Sequence, residues 1–122
     1  MYDNILKSPI ATTQGSYMVL HTGVQHVTAH LVCSIIGHLV VIGDQNELDQ
    51  LNQTGYHWID RNDIQTEGTW ISSFTQEASF ESWAPGEPST THGDSEDCGI
   101  KKDNLGMGDA PCSSKNSFIC EV

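Results

Sequence analysis

Seven side chains able to offer oxygen to a cation crowd the last third of this chain: Glu87, Ser89, Asp94, Glu96, Asp97, Asp103 and Asp109. Cys98, Cys112 and Cys120 lie among them. Carboxylates and hydroxyls gathered in a cross-linked loop region are hard donors, and calcium takes roughly six to eight such oxygens. A carboxylate read alone is a solvated group that aids solubility. Here 7 of the 16 acidic residues fall at Glu81 or between Glu87 and Asp109, where their mutual repulsion calls for a cation or for solvent.

The remaining chain must position that segment. It has 122 residues, enough for one core, and its 37% hydrophobic content is spread along its length as in a globular fold. We expect a single domain over residues 1–122. No apolar run approaches the roughly 20 residues of a membrane span, so membrane insertion is not expected. Five basic residues against 16 acidic ones give a net charge of -11, which repels nucleic acid and anionic membranes and attracts cations. Met1 is followed by Tyr-Asp-Asn rather than by the basic segment and apolar core of a signal peptide.

Four cysteines, Cys33, Cys98, Cys112 and Cys120, allow three pairings, among which spacing does not choose. No Cys-x-x-Cys pair supports a zinc ribbon. A reactive thiol needs basic neighbours, whereas Cys98 follows Glu96 and Asp97. Disulfides and an oxidising, extracellular compartment are the expectation, for a mature secreted chain carrying a start Met.

Turn residues at Thr12 to Ser16 separate two short strands. Val24, Val27, Leu31 and Ile35 recur at helical spacing and predict a helix over 22–36. Leu39 to Ile42 reads as a buried strand. Asp44 and Glu47 form a capping box that opens a second helix through Leu51. Trp58-Ile59, Trp70-Ile71 and Ser117 to Glu121 read as strands between long polar loops, which disulfides and metal ions commonly order. The fold class is α+β: two early helices, then irregular antiparallel sheets with long loops.

With these elements set out, several segments can be taken in order: Trp58-Ile59-Asp60, Asp63 through Trp70, Gly86-Glu87-Pro88, Glu96-Asp97-Cys98 and Phe118-Ile119-Cys120-Glu121. Together with the cysteines, the series resembles a C-type lectin domain of the small soluble invertebrate type and covers nearly the whole chain. The resemblance implies a C-type lectin-like fold with long calcium-binding loops and two disulfides, Cys33–Cys120 and Cys98–Cys112. The second closes a loop worth about 3 kcal/mol in the chain-entropy model.

In sugar-binding members of that family, the side chains that hold calcium also hydrogen-bond two neighbouring sugar hydroxyls. By resemblance, Glu87 and Ser89 flank a cis Pro88, Glu96 is the later acid, and Asp109 ligates through carboxylate and carbonyl. These four are the expected sugar-binding ligands, with His92 either touching the sugar or merely exposed in the loop. Ser89 stands in place of the usual Asn or Asp, a variant that points to galactose-type sugars. Met107-Gly108-Asp109 stands in place of Trp-Asn-Asp, so Gly108 removes a ligand and weaker calcium affinity is expected. A second calcium group falls on Asp63, Glu67, Glu96 and Asp97, with Thr90 in place of an acid.

His26 and His30 lie four apart on the predicted helix, without the Glu of a His-Glu-x-x-His site, and are expected on a solvated face. Trp58, Trp70 and Trp83 are expected in the core. Asn52-Gln53-Thr54 is a glycosylation sequon. Glu87, Glu96 and Asp109 could serve as paired carboxylates for glycoside hydrolysis, but no residue pattern sets one apart as the acid, so no enzyme is expected. The expected function is calcium-dependent carbohydrate binding made multivalent by several copies, as in a homodimer. The alternative is a lectin-like protein-interaction module that has lost its sugar site at Gly108.

Overall fold

The computed structural model describes residues 7–12, 15–88 and 96–122. Its elements are β1 (Lys7–Thr12), β2 (Gly15–Val24), α1 (His26–Cys33), β3 (His38–Leu39), α2 (Gln45–Gln50), β4 (Tyr56–Asn62), β5 (Cys98–Lys102), β6 (Gly106–Ala110) and β7 (Asn116–Glu121). They form one sheet in the order β1-β2-β7-β4-β5-β6, with β3 also paired to β7. The contact of β4 with β7 is parallel, and the other named pairs are antiparallel.

Alternation along the central strands sends successive side chains to two apolar clusters. Leu20, Trp58 and Phe118 join Ala29, Val32, Leu39 and Ile100 on one side. Val19, Ile59 and Ile119 join Val40, Ile42, Leu48, Leu51 and Met107 on the other. The register Leu20↔Phe118 and Val19↔Ile119 puts like faces together across β2 and β7. Each fully buried large apolar side chain contributes about 1.5–3 kcal/mol. The disulfides Cys33–Cys120 and Cys98–Cys112 are the pairs the resemblance implied. The first ties α1 to β7, and the second ties β5 to the segment after β6.

The first helix differs from its expected form. Strand β2 runs on to Val24, so α1 begins only at His26 and spans 8 residues. The apolar stripe faces outward: Val27, Leu31 and Ile35 are 61%, 65% and 67% exposed. His26, Ala29, Val32 and Cys33 are the buried residues, because the Cys33–Cys120 bond fixes which side meets the sheet. His26 is therefore not on a solvated face. Its Nε2–H donates to the Ile59 carbonyl at 3.0 Å, and its ring meets Trp58 edge-on at 5.0 Å. His30 lies 3.5 Å from the Asp60 carboxylate.

Helix α2 has Asp44 as its N-cap, accepting from the Glu47 N–H at 2.8 Å. Glu47 also ties this end of the helix to its surroundings. Its carboxylate accepts from the Gly43 N–H and from the Tyr17 hydroxyl, which pins the helix to β2. The run Leu39 to Ile42 is strand only at its start, yet Val40 still bonds to Ile119 and Asp60 on both sides. Trp70 is not in a strand, and Ile71 makes only isolated bridges to Asn62 and Ala78.

Strands β5 and β6 mix Gly, Lys and Asp with the buried Ile100 and Met107, so no long apolar alternation marks them. The Arg61 side chain leaves room only for glycine at position 99: a Cβ there would lie 2.0 Å from Arg61 Cγ. Arg61 is 1% exposed and lies between Trp70 and Trp83, with its guanidinium carbon 5.2 and 4.5 Å from their ring centres. It donates to the Phe80 carbonyl at 2.9 Å and touches the Met107 sulfur. Burial lowers its pKa to about 10, still charged at neutral pH.

Candidate functional site

The acidic residues separate into two groups. The first lies where β4 ends. Asp63 is 2% exposed, and its N–H donates to the Asp97 carbonyl at 3.0 Å. Its Oδ2 accepts from the Gly68 N–H at 2.9 Å, which folds the following loop back on it. Asp63, Glu67 and Asp97 each present a carboxylate oxygen, all within 4.8 Å of one another. The Asp63 Oδ1 is buried and takes no hydrogen bond. A buried anionic oxygen left in that state is costly, and a cation is what relieves it. These residues fit calcium, which would draw on hard carboxylate oxygens of this kind. Glu96 is buried but is not part of this converging set.

The second group is assembled along β6. Residues 82–84 run beside that strand: Met107 N–H donates to Ser82, and Ala84 N–H donates to Met107. Gly106 makes room, since a Cβ there would lie 2.7 Å from the Ser82 carbonyl. The chain then turns at Gly86, with φ of 82°, and the Glu87–Pro88 bond is cis as the resemblance implied. Glu87 thereby returns to β6. Its Oε1 accepts from the Asp109 N–H at 3.1 Å, and its Oε2 meets the Lys102 ammonium at 3.1 Å. Burial alone would raise the Glu87 carboxyl, but the bonds from Asp109 and Lys102 outweigh it and hold its pKa below the usual value. The bond to Glu87 raises the Lys102 pKa.

Ser89, Thr90, His92 and Asp94 lie outside the described residues. Asp103 belongs to neither acidic group. It accepts from the Gly55 N–H at 2.6 Å and ties the turn between β5 and β6 to the residue before β4. Trp58 and Trp70 are buried, while Trp83 is half-buried against Trp70 at 5.3 Å. Asn52 is exposed. Lys102, Asp60 and Arg61 were missed at the level of sequence. The available signal was charge out of place: Lys101-Lys102 is a basic pair inside the acidic segment, and Asp60-Arg61 interrupts an apolar strand. Asp60 accepts from the Ser72 hydroxyl at 2.8 Å and from the Ser73 and Phe74 N–H groups at 3.0 Å, so it organises the loop after Trp70.

The family pattern described as "Lectin C-type domain" matches residues 26–122. The chain belongs to the C-type lectin domain family. The mouse low affinity immunoglobulin epsilon Fc receptor is 33% identical over 102 residues, which is 80% of this chain and 30% of that protein. The C-type lectin BfL-2 of Bungarus fasciatus is 34% identical over 76 residues, 60% of this chain and 48% of that one. The chain thus spans less than half the length of either relative. Among solved structures, the carbohydrate-recognition domain of the mouse scavenger receptor C-type lectin superposes with a TM-score of 0.82 at 26% identity. That superposition covers 93% of this chain and 92% of that one.

The C-type lectin fold explains the division of labour in the site. The paired strands β5 and β6 hold Asp109, Gly108 and Lys102 rigidly. Glu87 comes from a loop anchored to them, and Asp97 precedes β5 directly. Among the described residues of the second group the fit to calcium is poor. Gly108 offers no ligand, and the ammonium of Lys102 already faces Glu87.

Proposed function

We propose that this C-type lectin domain binds carbohydrate at Glu87 and Asp109, with Ser89, His92 and Glu96 bordering the ligand. Calcium held by Asp63, Glu67 and Asp97 would order the loops, its charge satisfying the buried Asp63 oxygen. The observation that carries the proposal is the return of Glu87 to β6, where its Oε1 accepts from the Asp109 N–H. Carboxylates fixed in this way accept hydrogen bonds from neighbouring sugar hydroxyls. Galactose-type sugars are the first class to test. The closed disulfides support a secreted, extracellular module. Residues 1–122 would act as one domain. Several copies on a multivalent surface, as in a homodimer, would raise a weak single-site affinity.

The test is retention on a galactose-bearing matrix with Glu87→Ala as the control. The variant should fold and lose retention. A folded Glu87→Ala protein retained like the wild type would refute the site. The second function, a lectin-like protein-interaction module, is favoured by Gly108 and by the exposed Val27, Leu31 and Ile35. It gains if a glycan array shows no ligand while the fold remains intact.

A further inference from the structure

Glu87 already has a cation, supplied by the chain. Lys102 Nζ lies 3.1 Å from its Oε2, and the two side chains are only 22% and 11% exposed. A contact so covered is weakly screened by salt. Lys102 reaches Glu87 by crossing Gly108. A Cβ at position 108 would lie 2.9 Å from Lys102 Cδ and 3.0 Å from both Cδ and Oε1 of Glu87. Any side chain there would push the lysine or the glutamate aside. Gly108 is therefore more than a lost ligand: its bare backbone is the lane along which the lysine stem runs. Tyr56 flanks the ammonium, with its ring centre 5.6 Å from Nζ. A divalent ion entering between Glu87 and Asp109 would have to displace this ammonium or tolerate its repulsion.

Building on the sugar site proposed above, we infer that Lys102 replaces a metal ion at the Glu87–Asp109 cluster. The cluster then binds a neutral glycan diol directly, and calcium serves only the Asp63–Glu67–Asp97 group. The ammonium carries three N–H donors and spends one on Glu87, so others can reach a sugar hydroxyl oxygen. Glu87 and Asp109 accept from the sugar hydroxyl protons. Two carboxylates against one ammonium leave the cluster negative, so a neutral sugar is favoured over a sulfated or carboxylated one.

The experiment joins calcium calorimetry to methyl galactoside titration on the full chain. A single calcium ion should bind, lost in Asp63→Asn and kept in Glu87→Gln. Lys102→Met should keep that ion while weakening galactoside binding roughly tenfold or more, as expected for deleting a charged donor. Loss of a calcium ion in Glu87→Gln, or tighter galactoside binding in Lys102→Met together with an added calcium ion, would overturn the inference. If the wild type binds no glycan under any condition, the proposed function fails and the sugar half of this inference falls with it. The calcium count in Glu87→Gln still decides the cation half.

Discussion

Acid should destabilise this fold earlier than its carboxylates alone would dictate, because two histidines are buried without charge. His26 and His57 are 4% and 3% exposed. Burial lowers the pKa of each from 6.5 to about 4. For His26 the bond to the Ile59 carbonyl and the nearby Asp60 oppose the shift, and His30 adds to it. For His57, Lys101 and His21 add to the shift, while Gly55 and Asp103 oppose it. The unfolded chain therefore binds more protons between pH 6.5 and 4. Stability is full above that window and falls as pH drops through it. Linkage gives about 1.2 kcal/mol per histidine between pH 7 and 5.5, and about 2.4 kcal/mol between pH 7 and 4.5. Two histidines cost roughly 5 kcal/mol by pH 4.5, comparable to the whole stability of a small domain. Glu121, raised by burial, acts in the opposite sense, whereas Glu87 adds to the loss. Urea unfolding at pH 7, 5.5 and 4.5 and fixed ionic strength measures the sum. His26→Gln, which keeps a donor near Ile59, should be less stable at pH 7 yet lose about half as much on acidification. A His26 ring resonance that titrates near 6.5 in the folded protein would refute the reasoning.

Three further outcomes are expected. Gly37→Ala should cost more than about 3 kcal/mol or block folding, since its Cβ would lie 1.9 Å from the Glu121 carbonyl oxygen. Gly99→Ala, which meets the Arg61 side chain before any backbone, should cost about 1–3 kcal/mol, and thermal melts compare the two. Leu31→Ser should change stability by no more than about 0.5 kcal/mol, and Val32→Ala by about 1–3 kcal/mol, which reverses the ranking that helical spacing alone suggests. Asp60→Ala should lose about 3 kcal/mol in chemical denaturation, because the Ser72 hydroxyl and the Ser73 and Phe74 N–H groups lose their acceptor.

The sequence by itself determined the family, the disulfide frame and the order of the acidic motifs. These are carried by residue type at fixed separation: Trp58, Asp63 through Trp70, Glu87-Pro88, Glu96-Asp97-Cys98 and Phe118 to Glu121. The cysteine pairing came with the family resemblance, since spacing alone leaves three pairings open. The sequence determined that residues after Thr22 include a helix, but not which side faces the core. Two stripes compete there, Val27-Leu31-Ile35 and Ala29-Val32-Cys33, and hydrophobicity favours the wrong one. Only the bond from Cys33 to the buried Cys120 on β7 settles the rotation. Tertiary structure also decided β5 and β6, which become strands because β5 pairs with β4 and β6 pairs with β5. It decided, too, that Asp103 leaves the acidic cluster for Gly55 and that Lys102 enters it over Gly108. Which charges meet depends on where the backbone lets side chains cross, and chain order does not encode that distance.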